Sequence, residues 1–192
     1  MDGDLNKKLE TNFKECLKCI LKNIGATVVG VKPAELRTIK SYNGNYNIWD
    51  KCKTRILSYK EIDLIEVNKE KDRKKILFYH KSVLDEQLSN LEAINFLVEL
   101  GYPKEYDLKT YLDFLVARLK EYNFGKRDFP HEIGIFLGYP LKDVLGFMGY
   151  SDLECTCKQE WKIYGDKDSS LLQKKRFDLA RDYFNRKLEQ II

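Results

Sequence analysis

The stretch IDLIEVNKEKDRKKILFYH, residues 62–80, decides the fold. Two apolar runs, Ile62 to Val67 and Lys75 to His80, flank the charged connection KEKDRKK, residues 69–75. That is the pattern of an antiparallel β-hairpin. In the first arm Ile62, Leu64 and Glu66 alternate with Asp63, Ile65 and Val67, so the arm is expected to be covered on both faces. The charge run reads either as a solvated loop or as a phosphate-binding one.

Toward the N-terminus, Leu36 to Tyr42 reads as a further strand and Asn43-Gly44 as a turn. Trp49, Cys52 and Ile56 predict a short helix. The β-branched run ATVVGVKP, residues 26–33, reads as a short buried strand stopped by Pro33. Before it, Leu5, Leu9, Phe13, Leu17, Ile20 and Ile24 recur at helical spacing and predict a helix that Gly25 ends.

Toward the C-terminus the period becomes helical. Ser82 and Asp85 resemble a capping box at the head of a helix that carries Leu84, Leu88, Leu91 and Val98 and stops at Gly101 and Pro103. Asp107 caps the next helix, with Leu108, Tyr111, Leu112, Leu115, Leu119 and Tyr122 at spacings of three and four. Two short helices follow, Pro130 to Gly138 and Pro140 to Gly149, each opened by proline and closed by glycine. Ile133, Phe136 and Leu137 form one apolar stripe there, and Val144, Phe147 and Met148 another. Gln159 to Tyr164 reads as a last strand, with Trp161 and Ile163 on one face and Lys162 and Tyr164 on the other. A closing helix from Ser169 to Ile191 turns Leu172, Phe177, Ala180, Phe184, Leu188 and Ile191 inward. The expected fold is α+β: a small, mainly antiparallel sheet packed against several helices, with a mostly helical C-terminal half and one domain over residues 1–192.

Composition sets limits on function. The 34 basic residues exceed the 30 acidic ones by only four, so no basic footprint for nucleic acid is expected. The segment PLKDVLGFMG also offers one lysine and no Arg, Gln or Asn to read bases. No run approaches the ~18 apolar residues of a membrane span. The polar N-terminus MDGDLNKKLETNFKE lacks the apolar core of a signal peptide, which places the protein in the cytoplasm. Five cysteines in a reducing compartment predict no structural disulfide. Cys16 and Cys19, with Cys155 and Cys157, are the candidates for a metal site, but the first pair lies within a helix and lacks a knuckle turn. The expectation is no bound metal. No glycine-rich phosphate loop, dinucleotide fingerprint or nucleophile elbow is present, so no cofactor is specified.

The segment FPHEIGIFLGYPLKDVLGFMGY, residues 129–150, resembles the signature of a bacterial family, domain-of-unknown-function family 3793. ATVVGVKPAEL resembles its N-terminal pattern, in which Thr27, Gly30, Lys32 and Leu36 match. WKIYGD, residues 161–166, resembles a late Trp-Lys-Val-Tyr pattern. Ile24, Gly25 and Ala26 stand where that family has Cys-Ala-Pro, and a cysteine late in the last helix is absent. Both departures count against cysteine chemistry in this chain. The resemblance implies no particular activity, and it associates the chain loosely with ferrous-iron and flavodoxin genes.

The residues that packing leaves unexplained are few. His131 and Glu132 follow Pro130 at the start of a short helix, where free amides favour an anion. They are also the candidates for general acid or base catalysis. Lys32, with Thr27 beside it, sits at the end of an apolar run and must reach solvent or meet a carboxylate or phosphate. Trp161, Lys162 and Tyr164 either line a pocket or pack a core. The leading expectation is binding of a small anionic metabolite or cofactor, with Lys32, His131 and Glu132 near one pocket between the sheet and the two short helices. The alternatives are an enzyme using His131 or Glu132 at the same pocket, and a protein-interaction module linked to iron or flavodoxin metabolism.

Overall fold

The computed structural model describes residues 2–40, 46–68 and 73–191, and the hairpin lies at its centre. Strands β2 (Ile62–Glu66) and β3 (Arg73–His80) pair antiparallel, with Leu64 opposite Phe78. Strand β1 (Ala34–Lys40) pairs antiparallel with the other side of β3, giving the order β1–β3–β2. The Asn43-Gly44 turn and residues 69–72 of the charged connection lie outside the described residues. Arg73 to Lys75 of that connection belong to β3.

The sheet carries an apolar core on each face. Ile62, Leu64, Ile76 and Phe78 pack toward α1 (Asp2–Val28), α2 (Tyr46–Leu57) and α8 (Asp168–Ile191). Ala34, Val67, Leu77 and Tyr79 point the other way, toward α3 (Lys81–Leu88), α4 (Leu91–Glu99), α5 (Leu108–Asn123), α6 (Ile133–Phe136) and α7 (Leu141–Met148). Alternation along β3 therefore feeds both cores from one strand. This is the α+β fold expected from the sequence.

On the first face Glu66 ties helix to sheet. Its carboxylate accepts from Trp49 Nε1 at 3.0 Å, Lys53 Nζ at 3.1 Å and Lys74 Nζ at 2.7 Å. Burial alone would raise its pKa, but the bonds from Lys74, Trp49 and Lys53 outweigh burial and bring it down to about 2. A carboxyl with a lowered folded pKa stabilises the fold above its ordinary value and loses that contribution as the pH falls through the folded one. Urea denaturation should therefore show wild type more stable than Glu66→Gln at neutral pH. The gap should close as the pH falls from 4.5 toward about 2.

Several boundaries differ from the sequence expectation. Helix α1 does not stop at Gly25 but runs to Val28. A Cβ on Gly25 would lie 2.7 Å from Phe184 Cδ1, so the glycine allows close approach of α8. Thr27 and Val28, expected in a strand, form the last helical turn. The stop is Gly30, at φ 72°: its N–H donates to Thr27 O and the N–H of Val31 donates to Ala26 O, both at 3.0 Å. That bond pair is the Schellman helix ending, which needs a left-handed residue.

The helix expected over Ser82 to Val98 is two helices, α3 and α4. Asn90 starts the second by accepting from Glu92 N at 2.9 Å and Ala93 N at 3.3 Å, and Leu91 is left 70% exposed. Ser82 does not cap α3; the N-cap position is His80, whose Nδ1 lies 3.3 Å from Ser82 Oγ. Asp107 does cap α5, accepting from Thr110 N at 2.8 Å. The last expected strand is one arm of a second hairpin, β4 (Cys155–Lys158) with β5 (Lys162–Tyr164). In α8, Phe177, Ala180, Phe184 and Leu188 are buried as expected, while Leu172 is 61% exposed. Ile191's side chain lies outside the described residues. Among the described residues no helix is long and apolar enough to cross a membrane.

Candidate functional site

Residues 129–150 and the β4–β5 hairpin meet around one carboxylate. Asp143, in the first turn of α7, is 1% exposed. It accepts from Trp161 Nε1 at 2.8 Å, Tyr164 N at 2.9 Å, Ser170 Oγ at 2.6 Å and Lys142 Nζ at 2.8 Å. Lys142 also donates to Tyr164 O at 2.8 Å. Burial would raise the Asp143 carboxyl, but the bonds from Lys142, Ser170, Tyr164 and Trp161 outweigh it and hold its pKa below the ordinary value. One side chain thus joins α7, the hairpin and α8.

That junction forms one wall of a cavity of about 450 Å³. Its apolar wall includes Leu36, Phe129, Ile133, Leu137, Tyr139, Val144, Phe147 and Trp161. The polar groups come from His131 and from the hairpin residues Lys158, Gln159, Glu160 and Lys162. Trp161 stacks on Tyr139 with ring centroids 4.4 Å apart at 19°, and its indole N–H is held by Asp143, so it offers the cavity a fixed ring. Phe147, expected inward, is 42% exposed and stands at the cavity with Lys162 Nζ 5.1 Å from its ring centroid.

The structure separates His131 from Glu132. The Pro130 segment makes a turn and only four helical residues, Ile133–Phe136, too little helix for the anion site expected from its dipole. Glu132 makes no cap bond and turns into the core, fully buried. There its Oε1 lies 2.6 Å from Arg118 Nε and accepts from Tyr102 OH at 3.3 Å. Burial, with the Glu132 charge beside it, pushes the Tyr102 phenol well above its ordinary pKa. Glu132 does not line the cavity. His131 turns outward, with its ring 5.3 Å from that of Phe129 and 4.8 Å from that of Phe147, and it does line the cavity.

Lys32 is fully buried directly behind the cavity wall. Its Nζ lies 2.9 Å from Glu35 Oε1 and 3.4 Å from Glu160 Oε1, and 5.5 Å and 5.3 Å from the rings of Tyr139 and Phe177. It meets carboxylates rather than solvent. Thr27 is buried in the last turn of α1, away from the cavity. Tyr164 packs its ring against Gly146 and does not line the cavity. Cys16 is buried against Cys52, Cys19 is exposed, and Cys155 and Cys157 lie on β4. The described residues contain no group of three or more His, Cys, Asp or Glu side chains placed to hold a metal ion.

The family described as "Protein of unknown function (DUF3793)" matches residues 20–192. The chain belongs to that family. The DUF3793 match takes in the whole of residues 129–150, the β4–β5 hairpin, Lys32 and α8, so every wall of the cavity lies inside it. No curated protein and no solved structure matches the chain. In this DUF3793 member the residue that organises the site is Asp143, which the sequence presents as an ordinary acidic residue in a helix's first turn.

Proposed function

We propose that this protein binds a small molecule with an apolar, ring-sized body and an anionic group, in the cavity between α6, α7 and the β4–β5 hairpin. One observation carries the reading: a cavity of about 450 Å³ with aromatic walls and, on its hairpin side, Lys158 and Lys162. Ligand sites are concave, mostly apolar and supplied with a few placed polar groups. The Trp161 ring is fixed by its bond to Asp143 and stacks on Tyr139, which lowers the entropy cost of stacking a ligand on it. His131 contributes an imidazole edge at the same opening.

The neutral fluorophore N-phenylnaphthylamine tests whether the walls accept such a body. It should bind wild type saturably, and Phe147→Ala should weaken it roughly tenfold, as expected for loss of one aromatic wall. Stability should barely change, because Phe147 is not part of the core. Absence of saturable binding, or equal binding by Phe147→Ala, would sink the reading.

A further inference from the structure

A cluster of ions lies behind the cavity wall, and its cations outnumber the close acceptors. Glu35 is shared: Lys32 Nζ lies 2.9 Å from its Oε1, Arg37 Nη2 3.0 Å from its Oε2, and Arg181 Nη2 3.6 Å from its Oε1. Glu160 offers the second carboxylate but stands off, 3.4 Å from Lys32 Nζ and 3.8 Å from Arg181 Nη2. Charge-assisted bonds of this kind close to about 2.7–2.9 Å when well made. Arg181 Nε and Nη2 are buried with no hydrogen-bond partner among the described residues, although Nη1 reaches Asp178 at 3.2 Å. Glu35 is sealed at 5% exposure, whereas Glu160 is 29% exposed, lines the cavity and lies between β4 and β5.

We propose that Lys32 and Arg181 form the anion subsite of the cavity, and that Glu160 is its internal occupant, displaced when a ligand's own acid group arrives. The inference rests on the binding reading given above and adds the ligand class: a small aromatic or apolar acid. Its body lies against Trp161 and Phe147, and its carboxylate, sulfonate or phosphate replaces the Glu160 carboxylate. A buried ammonium and a guanidinium with free N–H groups both gain from an acceptor at full hydrogen-bonding distance. Glu160 can leave for solvent by a change in one exposed turn, with the three-stranded sheet unchanged. Lys32 keeps Glu35 throughout, so it is never left as an unpaired buried charge.

The test is fluorescence titration of wild type, Glu160→Gln and Arg181→Gln with two probes that share an aromatic body. Anilinonaphthalene sulfonate is anionic and N-phenylnaphthylamine is neutral. Glu160→Gln removes the competing charge and should bind the sulfonate roughly tenfold more tightly, with the neutral probe unchanged. Arg181→Gln should weaken the sulfonate by a similar factor and again leave the neutral probe unchanged. If both probes bind but neither variant changes the preference between them, the subsite is overturned and the cavity reading stands. If neither probe binds any form, both fall. Glu160→Gln is isosteric and lies in a turn, so its result holds even where Arg181→Gln fails to fold.

Discussion

Replacing Asp143 with alanine should cost about 3–5 kcal/mol of stability, since three donors from Trp161, Tyr164 and Ser170 lose one shared acceptor and each unsatisfied buried group costs ~1–3 kcal/mol. The substitution leaves Trp161 Nε1, Tyr164 N, Ser170 Oγ and Lys142 Nζ without the acceptor they share. An unpaired buried donor carries its desolvation cost with no return. Asp143→Asn should be milder, since an amide oxygen still accepts from two of the donors while its own N–H₂ opposes the others. Urea unfolding followed by tryptophan fluorescence measures both. A loss below about 1 kcal/mol for the alanine variant would mean that the junction contributes little beyond an ordinary surface position. Because the Asp143 pKa is lowered in the fold, its contribution is present above the ordinary carboxylate range and is lost on acidification through the folded pKa.

Glu132→Ala should be nearly as damaging, again about 3–5 kcal/mol, while its neighbour His131→Ala should cost about 1 kcal/mol or less. The contrast follows from where each side chain goes. Removing the Glu132 carboxylate leaves the partly buried Arg118 guanidinium and the buried Tyr102 hydroxyl without the acceptor they share. Removing the exposed imidazole of His131 takes away only ring contacts with Phe129 and Phe147. The functional order is the reverse: His131→Ala should weaken ligand binding, and Glu132→Gln, which keeps the shape and an acceptor for Tyr102, should bind normally where it folds. Thermal melts together with probe titration separate the two. Equal stability loss for both alanine variants would contradict the division of labour.

The sheet and most helices were legible because their signals are local. The alternation of Ile62 to Val67, the cap at Asp107 and the Pro140-to-Gly149 helix each depend on neighbours within a few residues. The misread places are those where tertiary contact overrules propensity. Thr27 and Val28 look like strand residues but sit in a helix turn held against the sheet and α8, and Gly25, a natural stop signal, serves packing against Phe184. The Asn90 break was a readable cap signal hidden inside a continuous apolar period. Strand β4, CTCK, is too short and polar to announce itself.

At the site, the sequence singled out His131, Trp161 and Lys162, and these do share the cavity. Lys32 was singled out as a charge needing a partner, but the identity of that partner, Glu35 with Glu160 128 residues away, has no local trace. Asp143 was invisible for the same reason. Its partners Trp161, Tyr164 and Ser170 lie 18, 21 and 27 residues downstream, and an aspartate in a first helical turn already has a sufficient local explanation.

The double duty of β3 bears on how its alignment is specified. In a strand with one wet face, a slip of one residue exposes the apolar set and is strongly penalised. Here Ile76 and Phe78 serve one core and Leu77 and Tyr79 the other, so a slipped strand would still present apolar side chains to both. Hydrophobic pattern alone is a weak ruler for such a strand. Alignment must come from side-chain fastenings, which a slipped strand would lose. At the end of β3 beside Asn68, the Asn68 side chain accepts from Lys75 N at 2.6 Å and donates to Arg73 O at 3.0 Å, and Lys74 grips Glu66. The charged and polar residues flanking the apolar run thus act as the gauge marks of the sheet, and the apolar residues between them supply its adhesion.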